Sequence, residues 1–221
     1  MYGLLIAFHI AAGTTALVAA AAALATSKGD RWHVYAGRAF TLGMLVVFLT
    51  AVPMTLIRPN LFLLLIAVFS FYLASTGWLR ARNRGGEPLL AEWIAASAMV
   101  VTAIIMCVRG VVDLRAEDSM GIVLLAFGGI GGSSAISDVS FLRRHRYRGT
   151  FRIADHLSRM LAGTIAAVTA FTVVNVRLEP MVVVWLTPAV ALTPVIVYWN
   201  LRVRRQATSG RTPSRETAGA V

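Results

Sequence analysis

Residues 59–79 read PNLFLLLIAVFSFYLASTGWL, a run without Asp, Glu, Lys or Arg, closed by Arg58 on one side and Arg80 on the other. A helix needs about 20 mostly apolar residues to cross a hydrocarbon core of about 30 Å. The run has that length and is apolar all round, so it predicts a membrane-crossing helix. It does not suit a barrel strand, which takes about 10 residues of alternating polarity. In lipid the backbone N–H and C=O groups find no water, and a helix pairs them within the segment.

The pattern repeats on both sides. Further charge-free runs cover residues 1–27, 39–57, 93–108, 119–137, 160–176 and 180–201. Together the runs predict seven spans joined by short connections, an all-α integral membrane bundle. Composition agrees: of 221 residues, 57% are hydrophobic and 14% charged, against about 25% charged in a soluble domain. A soluble globular enzyme, a disordered tail protein and a fibrous repeat are excluded. The chain divides into a transmembrane domain, 1–202, and a basic cytoplasmic tail, 203–221, too polar to bury a core and expected to be disordered.

Orientation follows from the basic residues. One set of connections holds Lys28, Arg31, Arg38, Arg80, Arg82, Arg84, Arg143, Arg144, Arg146, Arg148, Arg152, Arg159, Arg202, Arg204, Arg205, Arg211 and Arg215. The other holds Arg58, Arg109, Arg115 and Arg177. The two sets alternate along the spans, so the richer one is expected in the cytoplasm, with the N-terminus outside. The net charge of +11 then reads as topology signal and contact with anionic lipid, not as a nucleic-acid footprint. The first span lacks the basic start of a signal peptide and is read as a retained helix.

Smaller features have plain readings. Cys107, the only cysteine, forms no internal disulfide or thiolate cluster and reads as a packing residue. Gly128 and Gly132, four apart in the fifth span, allow a neighbouring helix close approach; room for a flat cofactor is the sharper alternative. Pro53, Pro188 and Pro194 lie inside spans, where proline frees a carbonyl. Trp32, Trp78, Trp93 and Trp199 fall at one membrane boundary and Trp185 at the other, as an aromatic belt does. Asp118 and Ser119 are placed to cap the fifth helix.

On this topology His33, Asp138, Asp155, His156 and Arg159 share one layer on the cytoplasmic side. Arg38 and Glu92 join it, with Tyr35, Ser137 and Asn200 at similar depth. Ionisable groups at membrane depth tend to face the bundle interior and mark functional sites. The plainer reading has boundary charges reaching to water, with Asp155 in the first turn of the sixth helix against the helix dipole and paired with Arg159 four residues on. His145 reads as a residue of a solvated basic loop. His9, two turns into the first span, reads as a neutral histidine bonded to a neighbouring helix, with an axial ligand or proton relay as the sharper alternative.

Several chemistries drop out. Lys28 is the only lysine, so no lysine in the seventh span can form a retinal Schiff base. No His-x-x-x-His pair, Gly-x-x-x-x-Gly-Lys loop or Gly-x-Ser-x-Gly elbow occurs.

Three motifs carry a family resemblance: His33-Val34-Tyr35-Ala36-Gly37-Arg38, then Asp155-His156-Leu157-Ser158-Arg159-Met160, then Trp185-Leu186-Thr187-Pro188 with Thr193-Pro194 and Tyr198-Trp199. In this order they resemble a broad family of multi-pass bacterial membrane proteins known only as a domain of unknown function. The resemblance covers most of residues 1–202. It implies a bacterial cytoplasmic (inner) membrane protein with two histidine motifs at one membrane face, and no established activity. Leu157-Ser158 stands where that family more often has a basic residue and Trp.

The leading expectation is a cofactor site between the second, fifth and sixth spans. His33 and His156 are the expected ligands or proton carriers. Arg38 and Arg159 would hold an anionic group such as a haem propionate or a quinone-like head group. Asp138 would orient a histidine, as carboxylates behind metal ligands do, and Asp155 belongs to the same layer. Two histidines on two helices suit haem ligation, although ligands at helix ends would leave the haem partly in the headgroup layer. The alternatives are a small transporter or permease using the same layer, a structural or lipid-interacting protein, or a hydrolase or other metal enzyme with His33, His156 and a carboxylate as ligands. The expected partners are membrane lipids, with a small-molecule substrate or redox partner at the layer.

Overall fold

A computed structural model describes residues 1–144 and 149–209 of the chain. Among them the structure is all α. The helices are α1 (Tyr2–Ala25), α2 (Arg31–Ile57), α3 (Leu61–Arg82), α4 (Leu90–Arg115), α5 (Met120–Arg144), α6 (Gly149–Asn175) and α7 (Met181–Ser209). All seven contain a stretch long and apolar enough to cross a membrane, as the charge-free runs predict. His145 and residues 210–221 lie outside the described residues.

The helices overrun the charge-free runs at several ends, because charge stops marking a boundary where a partner neutralises it. α3 carries on through Arg80, α4 contains Glu92, and α6 starts at Gly149, ahead of both the charge-free run at 160–176 and the first turn expected around Asp155. Asp155 therefore lies beyond the first turn of α6, and the expected dipole role gives way to the ion pairs described below. α7 extends to Ser209, so the expected tail begins as helix. Local chemistry sets the starts. Asn60 Oδ1 accepts from Leu63 N at 2.9 Å, Glu92 Oε2 from Leu89 N at 2.9 Å, and Asp118 Oδ1 from Met120 N at 2.9 Å. Each satisfies a donor that the first turn leaves open. α2 runs unbroken through Pro53, and α7 through Pro188 and Pro194.

α3 sits at the centre, packed against α2, α4, α5 and α6; α1 lies on α2 and α6, and α7 on α5 and α6. The main core gathers Phe69, Leu73, Met99, Met106, Leu124 and Phe127, with the Phe69 and Phe127 rings stacked at 5.2 Å. Trp185 belongs to this core: it is buried and meets the Phe62 ring edge-on at 4.9 Å. The indole faces the bundle rather than outward, because α7 leans on α5 and turns it inward. Small residues bring α4 and α5 together. A Cβ on Gly128 would meet Cys107 Sγ and Met106 Cβ at 3.0 Å, and one on Gly110 would meet the Gly121 carbonyl oxygen at 2.8 Å. The packing readings of Gly128 and Cys107 therefore hold, while the Gly110–Gly121 contact adds a second close approach.

Candidate functional site

α3 presents Tyr72, Thr76 and Arg80 at a spacing of four, hence along one face. All three are buried. Arg80, with no exposed surface, meets three carboxylates from three helices. Its Nη1 donates to Glu92 Oε1 of α4. Its Nη2 lies 3.3 Å from Asp138 Oδ1 of α5, and its Nε donates to Asp155 Oδ2 of α6 at 3.1 Å.

Arg159 of α6 closes the network from the other side. Its Nη2 donates to Asp138 Oδ1 at 2.5 Å and to the Ser134 carbonyl at 3.4 Å. Its Nη1 donates to Tyr72 Oη at 2.5 Å, and its Nε stands 3.5 Å from Asp155 Oδ1. The Tyr72 hydroxyl in turn donates to Asp138 Oδ2 at 2.6 Å. Asp138, 1% exposed, thus receives two guanidiniums and a phenol. The Asp155 side chain, 17% exposed, is the most open carboxylate of the three. Burying an ion costs several kcal/mol unless its partners and hydrogen bonds are in place; here each charge has an opposite partner, and Arg80 Nη2 meets Asp138 as an ion pair without a hydrogen bond.

The same stretch of α6 grips the end of α3. Arg152 Nη1 donates to the carbonyls of Arg80 and Ala81 at 2.6 and 3.0 Å, where a helix leaves carbonyls unpaired. His156 Nδ1 bonds the Gly77 carbonyl at 2.7 Å. Residues 152, 155, 156 and 159 fall on one helical face. Gly77 makes the approach possible: a Cβ there would lie 3.0 Å from Arg159 Cβ.

Of the expected site residues, Asp138, Asp155 and Arg159 converge in one network, and His156 adjoins it through α3. His33 bonds the Ala23 carbonyl at the end of α1 through Nδ1 at 3.0 Å and stands outside the network. Arg38 is exposed and has no hydrogen bond or ion pair with the described residues. The network lies where α3, α4, α5 and α6 meet, not between the second, fifth and sixth spans, because α3 is the central helix. Every nitrogen of Arg159 already faces a protein acceptor, which leaves it poorly placed to clamp a propionate. His9 Nδ1 bonds Thr50 Oγ1 at 2.9 Å. This is the plain reading of a histidine bonded to a neighbouring helix.

Arg80 and Tyr72 were not legible as site residues. Arg80 stands beside Arg82 and Arg84 and reads as a boundary charge; the 72–76–80 polar face of an otherwise apolar span was the available signal. Comparison with family models, curated proteins and solved structures finds no match to this chain.

Proposed function

We propose that the chain is a small transporter or permease of the bacterial inner membrane, oriented with its N-terminus outside, and that the Arg80–Glu92–Asp138–Asp155–Arg159 cluster is its ion-responsive gate. The observation that carries this reading is Asp138: a buried carboxylate within an apolar helix, shared by Arg80 and Arg159 and bonded by Tyr72. The backbones of α5 and α6 make no close packing contact among the described residues. Side chains bridge them, namely Arg159 to Asp138 and the Phe141–Phe151 ring contact at 4.5 Å. Protonating Asp138 would remove the charge that holds Arg159 to α5 and favour separation of α6 from it. Asp155, the most open carboxylate, is the side chain through which a proton or cation arrives. The cluster is thus a two-state element biased by one bound ion.

The test is proton flux across proteoliposomes under an imposed pH gradient. The wild-type protein should dissipate the gradient, and Asp138→Asn, folded by size exclusion, should behave as empty liposomes. Tyr72→Phe should retain part of the flux. Equal flux from wild type and Asp138→Asn would end this reading.

A second reading, haem or another redox group, is favoured by the two histidines. Each commits Nδ1 to a backbone carbonyl, which fixes the proton there and leaves the Nε2 lone pair of the neutral ring for a ligand. The residues fit axial ligation better than propionate binding, given the partners of Arg159 and the outward position of Arg38. Bound haem would supply one-electron transfer. A visible spectrum of purified protein, oxidised and reduced, tests it: a Soret band lost in His33→Ala or His156→Ala supports the reading, and a colourless protein refutes it.

A further inference from the structure

Away from the charged cluster, α1 and α2 enclose an open groove of about 590 Å³. It runs along α1 from Thr14 to Thr26, roughly 18 Å at the rise of a helix, or more than half of a hydrocarbon core of about 30 Å. Ala22, Ala36 and Ala39 leave the floor shallow, while Trp32 and Tyr35 wall one end. Those two rings meet edge-on at 6.3 Å and are more than half exposed, as aromatics at a membrane interface are.

Cations stand at that same end. Lys28 donates to the carbonyls of Ala23, Leu24 and Thr26, so its ammonium protons are spent closing α1. Arg31 differs. Its guanidinium lies over the Trp32 ring at 5.5 Å, and it has no hydrogen bond or ion pair with the described residues. A planar cation stacked on the wall of an apolar groove, with its N–H groups uncommitted, has the charge and geometry to take a phosphate oxygen pair.

We propose that this groove is a binding site for an anionic phospholipid, with one acyl chain along the alanine floor and the phosphate on Arg31. The occupant is a lipid and not a soluble anion because the groove continues past the cation for most of its length as an apolar channel. The site does not depend on the transport reading, since it shares no residue with the charged cluster.

The experiment is native mass spectrometry of the full chain after extraction from vesicles of phosphatidylglycerol and phosphatidylcholine in equal parts. Wild type should retain one phosphatidylglycerol through delipidating detergent. Ala22→Phe/Ala36→Phe, which fills the floor, should lose it, whereas Val190→Phe on the exposed face of α7 should not. Arg31→Gln should keep a lipid but lose about fivefold of the preference for phosphatidylglycerol, as expected for one basic residue at a membrane surface. Wild-type retention by the filled variant, an unchanged preference in Arg31→Gln, or equal retention of glycerol phosphate would each overturn the proposal. Should the filled variant not fold, chain-brominated lipids decide: the quenching component lost in Trp32→Phe should be larger with phosphatidylglycerol than with phosphatidylcholine, and equality refutes the site.

Discussion

Replacing Arg80 by Met removes one guanidinium from three carboxylates, and the cost should fall unevenly among them. Asp138 keeps Arg159 and Tyr72. Asp155 keeps Arg159 and its 17% exposure. Glu92 is fully buried and retains the Leu89 N–H and a long 3.5 Å contact from Asn83 Nδ2. Removing one partner of a buried pair costs about 3–5 kcal/mol, mostly the penalty of the stranded charge. The remaining Leu89 bond places Arg80→Met near the lower end, about 3 kcal/mol, or roughly a hundredfold in the unfolding equilibrium. If Glu92 bears the loss, adding Glu92→Gln to Arg80→Met should restore most of it, with a coupling of about 2 kcal/mol. Asp155→Asn in the same background should couple by less than about 1 kcal/mol, because Asp155 has other partners and partial access to water. Reversible denaturation in mixed micelles, followed by circular dichroism, measures all of the variants. A loss below about 1 kcal/mol for Arg80→Met, or a better rescue by Asp155→Asn than by Glu92→Gln, would refute this account of the cluster.

Gly110→Ala should lower the melting temperature in detergent by driving a methyl against the Gly121 carbonyl, at a cost of about 1–3 kcal/mol; Gly129→Ala, which meets nothing within 4 Å, should be neutral or gain up to about 1 kcal/mol of helix propensity. In a Cys107→Ser background, Arg58→Cys should react with an impermeant maleimide added outside intact cells and Arg84→Cys should not; the reverse pattern would invert the topology. His156→Ala should weaken the α3–α6 contact by about 1 kcal/mol, the usual value of one hydrogen bond, and so melt less readily than Gly110→Ala; a larger loss at the histidine would mean that it does more than bond Gly77.

The seven spans were legible because apolar length is a one-dimensional property, visible as gaps between charges. The helix ends were less so. Arg80, Glu92 and Asp155 interrupt the apolar pattern without ending a helix, since partners on other helices neutralise them. Depth could also be read from order along the chain, which is how Asp138, Asp155 and Arg159 came to share a layer. Azimuth could not. Arg38 and His33 sit at similar depth but five residues apart, off the same helical face, and Arg38 points out while His33 turns towards α1. Tyr72 and Arg80 eluded the reading because nothing in the order of the spans reveals that the third is central, and an arginine beside two others looks like topology signal. The Tyr72–Thr76–Arg80 spacing becomes informative once α4, α5 and α6 meet that face.

The partners of Arg80 also differ in how far away they are along the chain. Glu92 is 12 residues downstream, across a single turn, while Asp155 is 75 residues away. During synthesis the α3–α4 hairpin therefore has its own counter-ion before the later helices exist. Within the hairpin Arg80 is paired without waiting for the rest of the bundle to shield it. Asp138 and Asp155 then arrive with α5 and α6 and take up the nitrogens that Glu92 leaves, so the guanidinium that ties α3 to α4 is also the point on which the later helices meet.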